Sequence, residues 1–222
     1  TQWLDVHGKL QADLTVTKLD DDKFWVVASD TVERHVETWM KRAIEADQHA
    51  HVTNVTGGYG QINIQGPHAR ELMRLVTHAD MSNEAFPFRH AREIDIGYAR
   101  VLCIRITYLG ELGYELYIPA EQTTHVYDRL VEHGAKLGLV HAGLKTLASC
   151  RMEKGYRDYG HDIDNTDTVL EAGLGFAVDL KKEGGFLGKD AVVAEKARGP
   201  LRQRLLQIFV KDPKPLLFHA EV

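Results

Sequence analysis

The chain of 222 residues is long enough for one large domain or for a domain with part of another. Its formal net charge of -5 supplies no basic field for a phosphate backbone or an anionic membrane surface, so no nucleic acid and no membrane is expected as a partner, and a small molecule is. No apolar run approaches the length of a bilayer span, and Cys103 and Cys150 stand in apolar stretches without a CxxC spacing, which fits buried thiols in a reducing compartment.

From the N-terminal end, Leu10, Ala12, Leu14 and Val16 alternate with polar residues, which predicts a half-buried strand over 10–16 with Asp13, Thr15 and Thr17 together on its other face. Residues 24–28 predict a second strand, joined to the first in a hairpin by Asp20-Asp21-Asp22. Asp30 suits a helix N-cap, with Val32, Val36, Trp39, Met40 and Ala43 following at helical spacing. Ile62 and Ile64 mark another strand, and Gly66-Pro67 punctuates the switch into a helix with Pro67 near its first turn.

Residues 100–108 and 114–118 predict a second hairpin through the glycine-bounded turn 109–113. Helical patterns follow over 121–136 and 143–154, and then a polar, irregular stretch over 155–168. Gly184-Gly185 and Gly199-Pro200 are breaks, after which residues 202–210 read as a strand that starts a further domain. Strands and helices mix without a βαβ rhythm, so the expected fold class is α+β. The chain opens at Thr1 already inside a strand-like stretch and stops at Glu221-Val222, and it is therefore expected to be a piece of a longer protein.

The segment TYLGELGYELYIP, residues 107–119, places Glu111 and Glu115 four residues apart across the turn. By residue type alone, a hairpin with solvated glutamates explains it. The twelve histidines form no recognised ligand set, so no metal is expected. Gly57-Gly58-Tyr59-Gly60 lacks the Lys-Ser/Thr of a phosphate loop, and no G-x-G-x-x-G follows a strand, so the fingerprint for FAD is missing.

As a pattern, however, residues 107–119 resemble the folate-binding signature of the aminomethyltransferase (glycine cleavage T-protein) family. The resemblance extends through Gly8 with residues 12–17, the QGP at 65–67, the helix-and-G-x-D-I block over 143–164, LEAGL at 170–174 and FLG at 186–188. ADMSNEAFPF at 79–88, EKGYRDYGHDI at 153–163, LEAGLGFAV at 170–178 and DPKPLL at 212–217 look most like the C-terminal region of sarcosine and dimethylglycine dehydrogenases.

That resemblance implies a fold truncated at both ends: a folate-binding domain over 1–198 without its N-terminal part, then the start of a C-terminal barrel-like domain over 199–222. It implies tetrahydrofolate-dependent transfer of a one-carbon unit from an N-methyl amine, with folate and the amine as small-molecule partners and FAD on a covalently linked upstream domain. Asp13 matches the catalytic aspartate, Glu115 the pterin-binding glutamate, Tyr108 an aromatic neighbour of the ring, Phe88 another aromatic approaching it, and Arg151 a recurrent arginine for the anionic tail. For Tyr108 and Phe88, plain core packing is an equally good reading of the residue type.

The chain departs from the family pattern at Leu147, where an arginine is usual, at Lys9, where a second glycine is, and at Asp5, where an asparagine is. A catalytically silent regulatory or scaffold relative and a folate-dependent demethylase remain as alternatives. Joint presence of Asp13 and Glu115 favours the active reading over the first. Bacterial cytoplasm and mitochondrial matrix both fit the family.

Overall fold

The computed structural model describes residues 1–212 and 214. The chain divides into two compact units, one of Thr1 with Ala12–Asp158 and the other of Gln2–Gln11 with the described residues from Tyr159 onward. The expected α+β mixture is what forms.

The first unit is organised by a four-stranded antiparallel sheet. Its strands are β5 (Tyr59–Gln65), β6 (Ala91–Ile96), β7 (Ala99–Ile104) and β8 (Gly113–Pro119), in the order β5-β8-β7-β6. Because successive side chains of a strand point to opposite faces, each strand divides its residues between two environments. Tyr114, Leu116 and Ile118 of β8 share one face with Val101 and Cys103 of β7 and with Ile94 and Ile96 of β6, and all are buried.

Two helices cover that face. On α2 (Ala69–Val76), the residues Ala69, Leu72, Met73 and Val76 are buried at the i, i+3, i+4, i+7 spacing of one helical stripe; on α3 (Thr123–Gly134), Val126 and Leu130 are. Burial pushes the Cys103 thiol up to about 12, which makes it a packing group and not a nucleophile. Cys150, expected to be buried as well, is only half-buried on α4 (Leu144–Glu153).

Several boundaries differ from the sequence expectations. The alternation over 10–16 belongs to two strands, β2 (Leu10–Asp13) and β3 (Thr15–Lys18), which lie in different two-stranded sheets, and Val16 is exposed. The chain leaves one sheet at Leu14 and enters another, so a single period-2 pattern spans two pairings. β3 pairs with β4 (Phe24–Val27) in the expected hairpin. β7 ends at Ile104, short of Tyr108, because residues 105–112 form an irregular loop that turns left-handed at Gly110, φ 81°.

Asp30 lies inside a 3-10 turn, Asp30–Val32, that precedes α1 (Glu33–Ala43), with Ser29 at the cap position. The strand β6 had no counterpart in the sequence reading, since AREIDI mixes charge with its apolar alternation.

The second unit has its own core of Leu4, Leu10, Ile163, Val169, Ala172, Leu174 and Val192. β1 (Gln2–Leu4) and β2 form a hairpin whose turn is left-handed at Gly8, φ 76°. Lys9 needs no such backbone; it bridges to Thr168, and its Nζ donates to the Thr166 carbonyl at 2.5 Å and lies 3.8 Å from Glu171. Thr168 and Glu171 cap each other reciprocally, with Glu171 N donating to Thr168 Oγ1 at 3.1 Å and Thr168 N to Glu171 Oε2 at 3.2 Å. The helix α5 (Lys189–Ala197), unforeseen in the sequence, follows Gly188, where a Cβ would run into the Asp5 carbonyl oxygen. Residues 202–210, expected as a strand, have no regular secondary structure; 213 and 215–222, and with them most of DPKPLL, lie outside the described residues.

Candidate functional site

The face of the sheet opposite α2 and α3 carries the polar members of the same strands. Glu115 and Tyr117 of β8 sit two residues apart on this face, flanked across the strands by Asn63 and Gln61 of β5 and by Ile104 and Leu102 of β7. The β3–β4 hairpin contributes Trp25 and Val27 to a small apolar cluster with Leu102, Ile104 and Tyr117. The Trp25 ring meets Tyr59 edge-on at 4.9 Å and Tyr117 at 5.6 Å. A half-buried carboxylate is thus framed by aromatic rings and polar amides.

The chemistry of Glu115 follows from that placement. Burial pushes its carboxyl above the ordinary carboxylate range, and the hydrogen bond from Tyr117, whose hydroxyl donates to Oε2 at 2.5 Å, pulls it partly back. Oε1 accepts no hydrogen bond from a described residue. The Trp25 indole N–H is buried with no acceptor among the described residues. A free carboxylate oxygen and an unsatisfied donor on one aromatic-lined face suit a flat polar ligand that brings both donors and acceptors.

A cleft of about 470 Å³ borders this face, lined among others by Leu14, Thr15, Thr17, Arg89, His90, Ile104 and Ile106. Leu14 follows Asp13 in the chain, and Ile104 is the register partner of Glu115, so both candidate carboxylates adjoin residues of one cleft. Asp13 is half-buried at the end of β2. Arg89 is held at φ 68°, rare for a residue with a side chain, by an N–H donated to the Arg105 carbonyl at 2.8 Å, while Arg105 N donates to the His90 carbonyl at 2.9 Å.

Phe88 is 51% exposed in the turn just before Arg89, with the Arg89 guanidinium 6.0 Å from its ring; it is not a core residue. The other two candidates meet elsewhere. Tyr108 donates its hydroxyl to the Arg157 carbonyl at 2.7 Å and stacks on Tyr156 at 6.2 Å. Arg151 is buried on α4, donates to the Tyr156 carbonyl at 3.1 Å and lies 3.7 Å from Asp158. Both therefore converge on the 156–158 loop. Tyr117, Gln61 and Trp25 were not singled out in the sequence; the period-2 rule applied from Glu115 would have found Tyr117, whereas the other two needed the strand pairing.

Among the described residues no cluster of His, Cys, Asp and Glu could hold a metal ion, and no helix is long and apolar enough to cross a membrane.

The fold defines the class. The chain superposes on the glycine cleavage system aminomethyltransferase T from Bartonella henselae with a TM-score of 0.71 at 21% identity, over 90% of this chain and 52% of that one. The sequence then gives the family: residues 1–182 match the GCVT N-terminal domain, and the chain belongs to that family. It is 37% identical over 221 residues to a 4-methylaminobutanoate oxidase (formaldehyde-forming) of Paenarthrobacter nicotinovorans, covering 100% of this chain and 27% of that protein. It is 33% identical over 230 residues to the mitochondrial sarcosine dehydrogenase of Homo sapiens, covering 97% of this chain and 25% of that protein. The chain spans about a quarter of the length of these curated relatives. It is an aminomethyltransferase-like domain related to the sarcosine and dimethylglycine dehydrogenases.

Proposed function

We propose that this domain holds tetrahydrofolate while a one-carbon unit, released by oxidation of an N-methyl amine such as sarcosine or dimethylglycine, is joined to it as 5,10-methylenetetrahydrofolate. The observation that carries this reading is Glu115, a half-buried carboxylate with one oxygen unclaimed on an aromatic-framed face. The pyrimidine edge of a pterin presents a ring N–H beside an amino group, and a carboxylate accepts the two together. Flavin, on a covalently linked domain of a longer parent protein in the bacterial cytoplasm or the mitochondrial matrix, supplies the amine oxidation.

The transfer balances as follows. The iminium carbon bonds to both folate nitrogens, its bond to the amine nitrogen breaks, and the two folate N–H protons end on the departing amine as an ammonium. Asp13, next in the chain to the cleft residue Leu14, would take and return a proton, a role typically worth about 10²–10⁴ in rate. Arg151 and Tyr108 secure the 156–158 loop, and Phe88 offers an exposed ring next in the chain to the cleft residue Arg89. The region 199–222 would begin the barrel-like domain that completes the parent's folate site.

The test is calorimetric titration of the chain with 5-formyltetrahydrofolate. Wild type and Asp13→Asn bind alike, and Glu115→Ala loses binding; equal binding by Glu115→Ala removes the pterin-anchor assignment. No binding even by the longer parent protein would favour a silent relative of the same fold.

A further inference from the structure

One contact on the polar face of the sheet bears on how Glu115 would meet its ligand. The Tyr117 hydroxyl donates to Glu115 Oε2 at 2.5 Å, and the Gln61 amide donates to the Tyr117 hydroxyl oxygen at 3.4 Å. Gln61 and Tyr117 are register partners on β5 and β8, so the sheet ladder itself sets the line Gln61 to Tyr117 to Glu115. The Trp25 ring, edge-on to Tyr117, and Leu102 across the strand from it hold the phenol in place.

We infer that Tyr117 is the positioning residue of Glu115: its hydroxyl holds Oε2, fixes the carboxylate's orientation and keeps it ionised, so that ligand N–H groups meet a ready acceptor. This rests on the reading of Glu115 as the folate anchor.

The physics favours a phenol here. A buried carboxylate with no donor loses its hydration and takes up a proton, and a protonated Glu115 no longer accepts two N–H groups. Each carboxylate oxygen has two lone pairs, so Oε2 can keep Tyr117 and still take a ligand N–H. A lysine or arginine would also hold the carboxylate, but would cancel its charge. Burial, and then the adjacent Glu115, push the Tyr117 hydroxyl far above the ordinary phenol range, so it stays a donor through neutral pH.

The ionisable groups on this face and around the cleft are Tyr59 on β5, Glu93 on β6, Lys18 on β3, Asp13 at the end of β2, the Thr1 ammonium, and Arg89 and His90. None of them hydrogen-bonds Glu115, whose perturbation comes from burial and from Tyr117. If Tyr117 served packing alone, phenylalanine would replace it without consequence for Glu115.

The test is a ¹³C NMR titration of the Glu115 side-chain carboxyl in wild type, Tyr117→Phe and Gln61→Leu. The midpoint rises in Tyr117→Phe and rises less in Gln61→Leu. A midpoint unchanged in the folded variants overturns the inference, whether or not folate binds.

Calorimetry with 5-formyltetrahydrofolate over the same pH range gives the functional arm. Affinity falls as pH drops through the Glu115 midpoint, and in Tyr117→Phe the fall begins at higher pH. Below both midpoints the variant binds about 10-fold more weakly for each unit of rise. Parallel profiles in the two proteins overturn the inference and leave the folate reading standing. Binding indifferent to Glu115→Ala removes the folate reading, and the NMR midpoints still decide whether Tyr117 sets the state of Glu115.

Discussion

The two faces of the β5-β8-β7-β6 sheet are made from alternate residues of the same strands, yet they obey different rules. On the face under α2 and α3, Leu116, Ile118, Ile94 and Val101 are buried among themselves and nothing there invites a ligand. On the other face, Glu115 and Tyr117 keep polar groups that burial should disfavour, flanked by the exposed amides of Gln61 and Asn63. Tyr114 and Tyr117 make the contrast within one strand. Both are buried, but the Tyr114 hydroxyl has no partner among the described residues whereas the Tyr117 hydroxyl has a carboxylate. The packed face tolerates an orphan hydroxyl as a cost of filling space with a large ring, whereas on the other face the hydroxyl holds a carboxylate.

The largest expected effect sharpens that contrast on the packed face. Leu116→Ala should lose about 2–5 kcal/mol in urea unfolding, because the removed methyl groups leave a cavity between sheet and helices. A loss below about 1 kcal/mol would mean that this face is not the core.

Next come the two tyrosines, with opposite signs. Tyr117→Phe should cost about 1.5–3 kcal/mol at neutral pH by stripping a charged acceptor of its donor, and Tyr114→Phe should gain about 1 kcal/mol by removing a buried hydroxyl that bonds nothing. The same sign for both, measured by chemical denaturation, would break the comparison between the faces.

The smallest effect is a pH dependence. Burial raises the Glu115 carboxyl in the folded state, so between the ordinary glutamate value of about 4.3 and the raised one the folded chain holds a proton that the unfolded chain has released. Stability therefore falls as pH rises through that window and stays lower above it. Glu115→Gln should be the more stable protein at pH 7, and its advantage should disappear below the ordinary glutamate range. Thermal melts of both proteins across that range check the sign.

Sequence alone made part of this legible. The hairpin of β3 and β4 and the helices α1, α3 and α4 followed from period and turn residues, because each is a local signal, while Glu115 was singled out by the family pattern alone. Two features were hidden by geometry that has no local signal. One is the handover at Leu14, where an unbroken alternation passes from one sheet to another. The other is β6, an edge strand whose outward residues Glu93 and Asp95 pair with Arg100 on β7 and so read as a solvated charged stretch. Tyr117 was within reach of the period-2 rule; Gln61 and Trp25 were not, since they reach Tyr117 only through strand pairing and a hairpin. Lys9, a departure from the family at a glycine position, is explained by the second unit alone, where Gly8 takes the left-handed backbone and the lysine binds the 166–171 segment.

The most direct test of the division between faces is an NMR footprint of 5-formyltetrahydrofolate on the chain, read at side-chain signals of both faces. The account predicts saturable shifts at Ile104 and Tyr117 and at the Trp25 indole N–H, with Leu116, Ile94 and Ile118 unmoved. Saturable binding that leaves Ile104, Tyr117 and Trp25 unchanged would contradict it.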